Sequence, residues 1–155
     1  MKPIYIRPYE AADYHEICLI HDAARKIELS LAALDDAFLP FSIASEREDF
    51  FAYPHLDVAI VDGKIVAFSA YTDEEFAWLY VSVDHMRQRI GSAMVERALQ
   101  VAPDINAIEV LVGNEPARKL YESFGFSVRE LAGGVMPGNE SFSVRVYCMA
   151  RTVRV

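Results

Sequence analysis

Positive charge is the scarcer sign in this 155-residue chain: 15 Lys and Arg stand against 23 Asp and Glu, a formal net charge of -8. A surface of that sign repels phosphate backbones, so duplex DNA or RNA is not expected as a partner. It suits a cationic or amine partner. Cysteine is nearly absent as well. Cys18 and Cys148 lie far apart, show no metal-ligand spacing and are too few for a disulfide framework. Both read as reduced thiols, and no metal site is expected. No apolar stretch approaches membrane-spanning length, and Met1–Arg7 holds no run of signal-peptide length, so a cytoplasmic protein without membrane contact is expected. The phosphate-binding glycine motifs are missing too: neither Gly-x-x-x-x-Gly-Lys-Ser/Thr nor Gly-x-Gly-x-x-Gly occurs. Repeats and low-complexity linkers are also lacking, which makes residues 1–155 read as a single domain.

What is present is enough apolar sequence, 53%, for a packed core. Ile4–Pro8 reads as a short first strand. Asp13 with Glu16 resembles a capping box, and Tyr14, Ile17, Ile20, Ala24 and Ile27 then recur at helical spacing. A second helix is expected within Ser42–Tyr53. The period then shortens. Leu56–Val61 and Ile65–Tyr71 flank the hairpin signal Asp62-Gly63-Lys64, and Phe76–Val83 is a third apolar run. Ile90, Met94, Ala98 and Val101 predict a helix that stops before Pro103, Ile108–Val112 another strand, and Pro116 to Gly125 another helix. Two strands close the chain, around Pro137-Gly138-Asn139. Strands interleaved with helices in this order predict an α/β or α+β domain with a mixed sheet.

Two segments carry chemistry. Leu79–Val83 runs through Asp84–Arg89 into Ile90-Gly91-Ser92-Ala93, a strand feeding a helix start. Such a junction gathers unpaired backbone N–H groups and the positive end of a helix dipole, which together bind anions. Gly91 and Ser92 allow close approach, and Arg87 and Arg89 add positive charge. An ordinary connection with basic surface residues reads equally well from this segment alone. The second segment is Ile108–Phe126. Asn114 sits where an N-cap or a ligand-binding amide belongs. Ala117 and Tyr121 are four apart and share a helix face, so a small residue leaves room beside a phenol that can give up a proton. Singly, Asn114 reads as a cap, Tyr121 as core and Glu109 as a solvent-facing strand position; order and spacing together make the case.

The chain at this point resembles the GNAT superfamily of acyl-CoA N-acyltransferases, most sharply over Leu79–Phe126. Asn114, Ala117, Tyr121, Gly125 and Phe126 reproduce the family's Asn-x-x-Ala-x-x-x-Tyr-x-x-x-Gly-Phe. The phosphate loop departs from the family's Gln/Arg-x-x-Gly-x-Gly/Ala: aligned through the preceding strand, Gly91 is the second glycine, Met86 takes the place of Gln/Arg and Arg89 that of the first glycine. Gln88-x-x-Gly91-x-Ala93 is a shifted match.

The resemblance implies a mixed, mostly antiparallel central sheet of about seven strands flanked by about four helices. It implies acetyl-CoA as co-substrate and an amine acceptor, either a small molecule or a peptide N-terminus. Val81, Ser82 and Val83 would offer backbone groups to the acetyl and pantetheine parts. Arg87, Gln88, Arg89, Ile90, Gly91, Ser92, Ala93 and Met94 would cradle the pyrophosphate. Asn114 and Ala117 would flank the pantetheine arm, and Tyr121 would be the general acid. Glu109 falls where some members carry a glutamate general base; Glu74, Glu75 and His85 are rivals. The implied reaction is direct attack of a neutral amine on the thioester through a tetrahedral intermediate. The acceptor region is expected between Ile27 and Tyr53, near Tyr71–Trp78 and at Met136–Asn139. Leu34, Phe38, Phe41, Phe50, Phe51 and Tyr53 would supply its apolar surface, and Asp35, Asp36, Glu46, Glu48 and Asp49 its negative charge. A non-catalytic acyl-CoA-binding or sensing module is the alternative, and sheet edges leave a homodimer possible.

Overall fold

The computed structural model describes residues 2–153. Its strands are β1 (Tyr5–Pro8), β2 (His55–Val61), β3 (Lys64–Tyr71), β4 (Phe76–Val81), β5 (Ala107–Leu111), β6 (Ser127–Met136) and β7 (Asn139–Ala150). Its helices are α1 (Tyr14–Leu31), α2 (Phe41–Arg47), α3 (Ile90–Val101) and α4 (Glu115–Glu122), and short 3-10 turns link several of them. The expected order of elements is the observed one. Among the described residues no helix is long and apolar enough to cross a membrane.

The strands form two antiparallel sheets, ordered β1-β2-β3-β4 and β5-β7-β6. β4 and β5 lie side by side, yet a single parallel bridge, Glu75 with Ala107, joins them. Beyond that bridge the two strands diverge, and the sheet splits along its centre.

Alternation along the strands sets the layers. On β4, Trp78 and Tyr80 pack with Ile17, Ile20, Phe41 and Phe50 on the α1–α2 face. Leu79 and Val81 pack with Ile90 and Met94 of α3 on the opposite face. Helices thus cover both faces, and the core runs unbroken into the second sheet through Phe76, Ile108, Val110, Tyr121 and Phe126.

Local chemistry explains the joints. Asp62 and Gly63 have φ of 52° and 75°, which two-residue hairpin turns with right-handed strands require. The capping box at the first helix is displaced by one turn from the expected pair. Asp13 caps backward, accepting from Glu10 N–H at 2.8 Å, and Arg7 grips the same carboxylate through two bonds of 2.8 and 2.9 Å. Arg7 rather than Glu16 is therefore the partner that matters, and it holds the Asp13 carboxyl below the usual carboxylate range. Cys18 and Cys148 are free thiols, each partly buried.

Candidate active site

The divergence of β4 from β5 opens a cleft of about 560 Å³. Its walls are the α1–α2 face of β4, the start of α4, and the tip of the β6–β7 hairpin. Asn114, Ala117, Tyr121, Glu75 and Glu109 all line it. The motif residues thus converge on the place where the sheet splits.

Backbone geometry gives the cleft its polar edge. Ser82 donates its N–H to Val66 O at 2.7 Å, and Val81 pairs opposite Ala67. In an antiparallel ladder alternate residues face the partner strand. Tyr80 and Trp78 therefore bond toward β3, while Leu79 and Val81 turn N–H and C=O outward to the split. Ser82 is spent: its N–H serves the sheet and its Oγ lies 3.2 Å from His85 Nδ1. Leu79, which the sequence reading omitted, takes its place as an outward amide. Val83 lies in the next 3-10 turn and is exposed.

The phosphate loop continues along the same edge. Arg87 and Arg89 both have φ of 64°, the left-handed region that favours glycine. The resembled motif has a glycine where Arg89 stands, and glycine adopts this φ without strain. Arg89 is the N-cap of α3 and makes no side-chain capping bond. The first helical bond is Ala93 N–H to Arg89 O at 3.0 Å, so the amides of Ile90, Gly91 and Ser92 precede it. Gly91 has a packing role as well, since a Cβ there would lie 3.2 Å from Leu120 Cδ2 of α4. Arg87 and Gln88 line a separate hollow beside the β2–β3 turn, together with Lys64 and His85. Met94 stands apart from the loop: its side chain is fully buried in the core, one residue past the first helical bond.

Asn114 fills the expected role of cap, and its amide nitrogen is held by α1. Its Oδ1 caps α4 by accepting Ala117 N–H at 3.3 Å, and its Nδ2 reaches Glu28 Oε2 at 3.3 Å. Tyr121 is 7% exposed, and among the described residues its hydroxyl has no hydrogen-bond partner. Burial, and then the nearby Glu28 charge, push its pKa well above the ordinary phenol value, so it stays protonated at neutral pH. A protonated phenol can act as an acid and not as a base. Glu109 is exposed on β5. Its closest electrostatic neighbour in the cleft is Glu75, whose own carboxyl is raised first by desolvation and then by Glu109, although Glu75 as a residue keeps solvent contact.

Sequence reading missed the hub beneath the split. Glu28 of α1 accepts from Arg25 Nη1 at 2.6 Å and from the Tyr80 hydroxyl at 2.7 Å, besides Asn114. It ties α1, β4 and the α4 cap together. A signal was present: His21, Arg25 and Glu28 follow one another at intervals of four and three along a helix whose other inward residues are apolar. Of the expected acceptor residues, Glu48 and Tyr53 line the cleft. Phe41 and Phe50 are fully buried core instead. Asp35, Asp36, Glu46 and Asp49 do not reach the walls. Burial, opposed by Arg25 and reinforced by Glu140 and Glu28, raises the Glu48 carboxyl to about 7.

A split sheet with an outward strand edge, an open helix start and a buried phenol beside the gap can hold an extended, phosphate-bearing molecule along the edge of β4. Comparison with known proteins gives the family. The Acetyltransferase (GNAT) domain model matches residues 47–128, more than half of the chain, which belongs to that family. No curated protein matches it in sequence. Solved structures share its fold throughout. A GCN5-related N-acetyltransferase from Rhodopseudomonas palustris is 17% identical, covers 98% of this chain and 97% of its own, and superposes with a TM-score of 0.76. The Salmonella typhimurium protein yncA, solved with its cofactor acetyl-CoA, is 16% identical over 99% of this chain and 95% of its own, with a TM-score of 0.69. A ribosomal-protein-alanine N-acetyltransferase from Brucella melitensis is 17% identical over 95% and 98%, also at 0.69. Family membership makes acetyl transfer from an acyl-CoA the reaction class. The residues present fit such a co-substrate: the outward amides of Leu79 and Val81, the leading amides of α3, and the small Ala117 beside Tyr121.

Proposed function

We propose that this chain transfers the acetyl group of acetyl-CoA to a primary amine by direct attack. The observation that carries the reading is the unpartnered hydroxyl of the buried Tyr121, which lines the gap beside the outward edge of β4. Acetyl-CoA, when bound, supplies the electrophilic carbonyl and the thiol leaving group. Val81 and Val83 would flank its acetyl and pantetheine parts, with the outward amide of Leu79. Arg87 to Ser92 would hold its pyrophosphate through backbone N–H groups and cationic side chains, and Asn114 and Ala117 would border its arm.

An attacking amine must be neutral. Glu109, with Glu75 beside it, is the carboxylate we assign to take the amine proton, directly or through a water. The N–H of Leu79 or Val81 donates to the oxygen on which negative charge develops. Tyr121 hands its proton to the departing sulfur. Its raised pKa keeps that proton in place until a thiolate, itself disfavoured by desolvation and by the Glu28 charge, forms within reach. No enzyme nucleophile is required, and the two thiols stand outside the cleft walls.

An acetyl-CoA-dependent thiol-release screen against amines and peptide N-termini tests the reading. Release with some acceptor is expected, with Tyr121→Phe slowed about 100-fold or more while acetyl-CoA binding persists. Binding of acetyl-CoA without release against every acceptor would make the chain a sensing module. Full turnover in Tyr121→Phe would remove the acid assignment.

A further inference from the structure

Arg25 and Glu28 satisfy one another within the hub; His21, on the same face of α1, has a different arrangement. Its ring is 1% exposed and lines the cleft. Nδ1 lies 2.9 Å from Asp22 Oδ1, an oxygen that also accepts Phe41 N–H at 2.8 Å. A carboxylate so placed fixes the proton on Nδ1 and leaves the lone pair on Nε2. Among the described residues Nε2 has no partner. His21 lines the cleft, and Nε2 is the ring nitrogen left free to face it. Burial keeps this imidazole below its ordinary pKa, hence neutral, with the lone pair available.

The surroundings select what that lone pair meets. Tyr80 and Trp78 rings lie 5.0 and 6.1 Å from the His21 ring, and Tyr53 continues the aromatic wall. At this end the carboxylates of Glu28, Glu48 and Glu140 outnumber the guanidiniums of Arg25 and Arg47. Arg25 is paired with Glu28, and Arg47 donates to Gly138 O at 2.9 Å. Glu48, half-buried against Gly138, and Glu140 have no ion-pair partner among the described residues. The other negative pole of the cleft is Glu75 with Glu109. Tyr53 stands between the two poles, its phenol raised first by burial and then by Glu75 and, more weakly, Glu48.

We propose that the Glu48–His21 end of the cleft holds a second, non-reacting cationic nitrogen, so that the acceptor is a diamine- or polyamine-type molecule. An ammonium group has three donors and no acceptor. Glu48 supplies the counter-charge, His21 Nε2 accepts one N–H, and the aromatic wall favours a cation over a neutral group. A neutral hydroxyl could use Nε2 but gains nothing from Glu48 as a charge. The identity of the reacting nitrogen rests on the acetyl-transfer reading; binding at this end does not.

Calorimetric titration of the full chain, without acetyl-CoA, separates the two. The probes are 1,4-diaminobutane, 1-aminobutane and 4-amino-1-butanol. The diamine is expected to bind about tenfold tighter than either monoamine. Glu48→Gln should erase that preference, and His21→Gln, which restores an acceptor oxygen, should retain more affinity than His21→Ala. Tyr121→Phe should bind the diamine as well as the parent does. Equal affinities for the three amines, absence of diamine binding, or an undiminished preference in Glu48→Gln each overturns the subsite. Diamine preference in a chain that releases no thiol with any acceptor would uphold the subsite and refute the enzyme.

Discussion

Glu48 illustrates how one side chain can sit in tension between function and stability. Its carboxyl is raised to about 7 because desolvation opposes ionisation, against the pull of the Arg25 charge, and Glu140 and Glu28 add like charge. Arg47, beside it in sequence, is occupied by the Gly138 carbonyl. In the unfolded chain the same carboxyl titrates near its ordinary value of 4.5. Between those two pH values the folded state binds more protons than the unfolded state, so stability falls as pH rises through that window. Glu48→Gln has no such titration. Its melting temperature is expected to exceed the parent's at pH 8, and the gap should close as pH falls toward 4.5. Parallel thermal melts across that range check this; a constant gap would place the charge elsewhere. The same substitution removes the counter-charge proposed for the acceptor, so a gain in stability and a loss of amine discrimination should appear together.

At the scale of elements, the joint between β5 and α4 is the least tolerant part of the site. Gly113 has φ of 108°, and a Cβ there would collide with the Leu31 carbonyl oxygen at the end of α1, with Ala32 Cα 3.2 Å away. Backbone cannot yield as a side-chain tip can. Gly113→Ala is expected to destabilise by about 3 kcal/mol, which chemical denaturation will read; a change under about 1 kcal/mol would contradict the packing. Glycine at this site also holds Asn114 against Glu28. Such joints explain what the sequence made legible. Hairpin chemistry at Asp62-Gly63 and periodicity in α1 and α3 are local, and they located the elements. The spacing from Asn114 to Tyr121 is local too, and it located the α4 cap and the phenol that lines the cleft. The Glu28 hub is not local: it joins α1 to β4 and α4 across 52 and 86 residues. No pattern within one segment encodes that, although the polar stripe His21, Arg25, Glu28 pointed inward. The left-handed backbone at Arg87 gave no local sign, because arginine does not advertise a positive φ as glycine does; at Arg89 the sign was the glycine of the resembled motif.

The whole molecule is two small sheets that share one core and part along one line. Straps cross the parting. Arg47 of α2 holds Gly138, and Asn139 Nδ2 reaches Ala37 O at 2.9 Å, so the β6–β7 tip is tied over the cleft on the α1–α2 side. On the other side the strands are linked, among the described residues, at the Glu75–Ala107 bridge and the Glu74 carbonyl beside it. The net charge of -8 wraps this body, so the arginines at the start of α3 form a basic spot on an acidic surface.

The parting has a consequence that deuterium would reveal. Leu79 lies within β4 and Val81 closes it, beside Trp78 and Tyr80, whose amides are locked to β3, and next to Ser82, whose N–H still bonds Val66. The amides of Leu79 and Val81 face the gap with no strand to hold them. Mid-strand residues ordinarily exchange slowly, and here a fast–slow alternation is expected along four consecutive positions. Saturating acetyl-CoA should slow Leu79 and Val81 and leave Trp78 and Tyr80 unchanged. Uniformly slow exchange in the free protein would mean the gap is already closed. A strand whose protection depends on its ligand is in effect half of a sheet, completed each time the co-substrate lies down beside it.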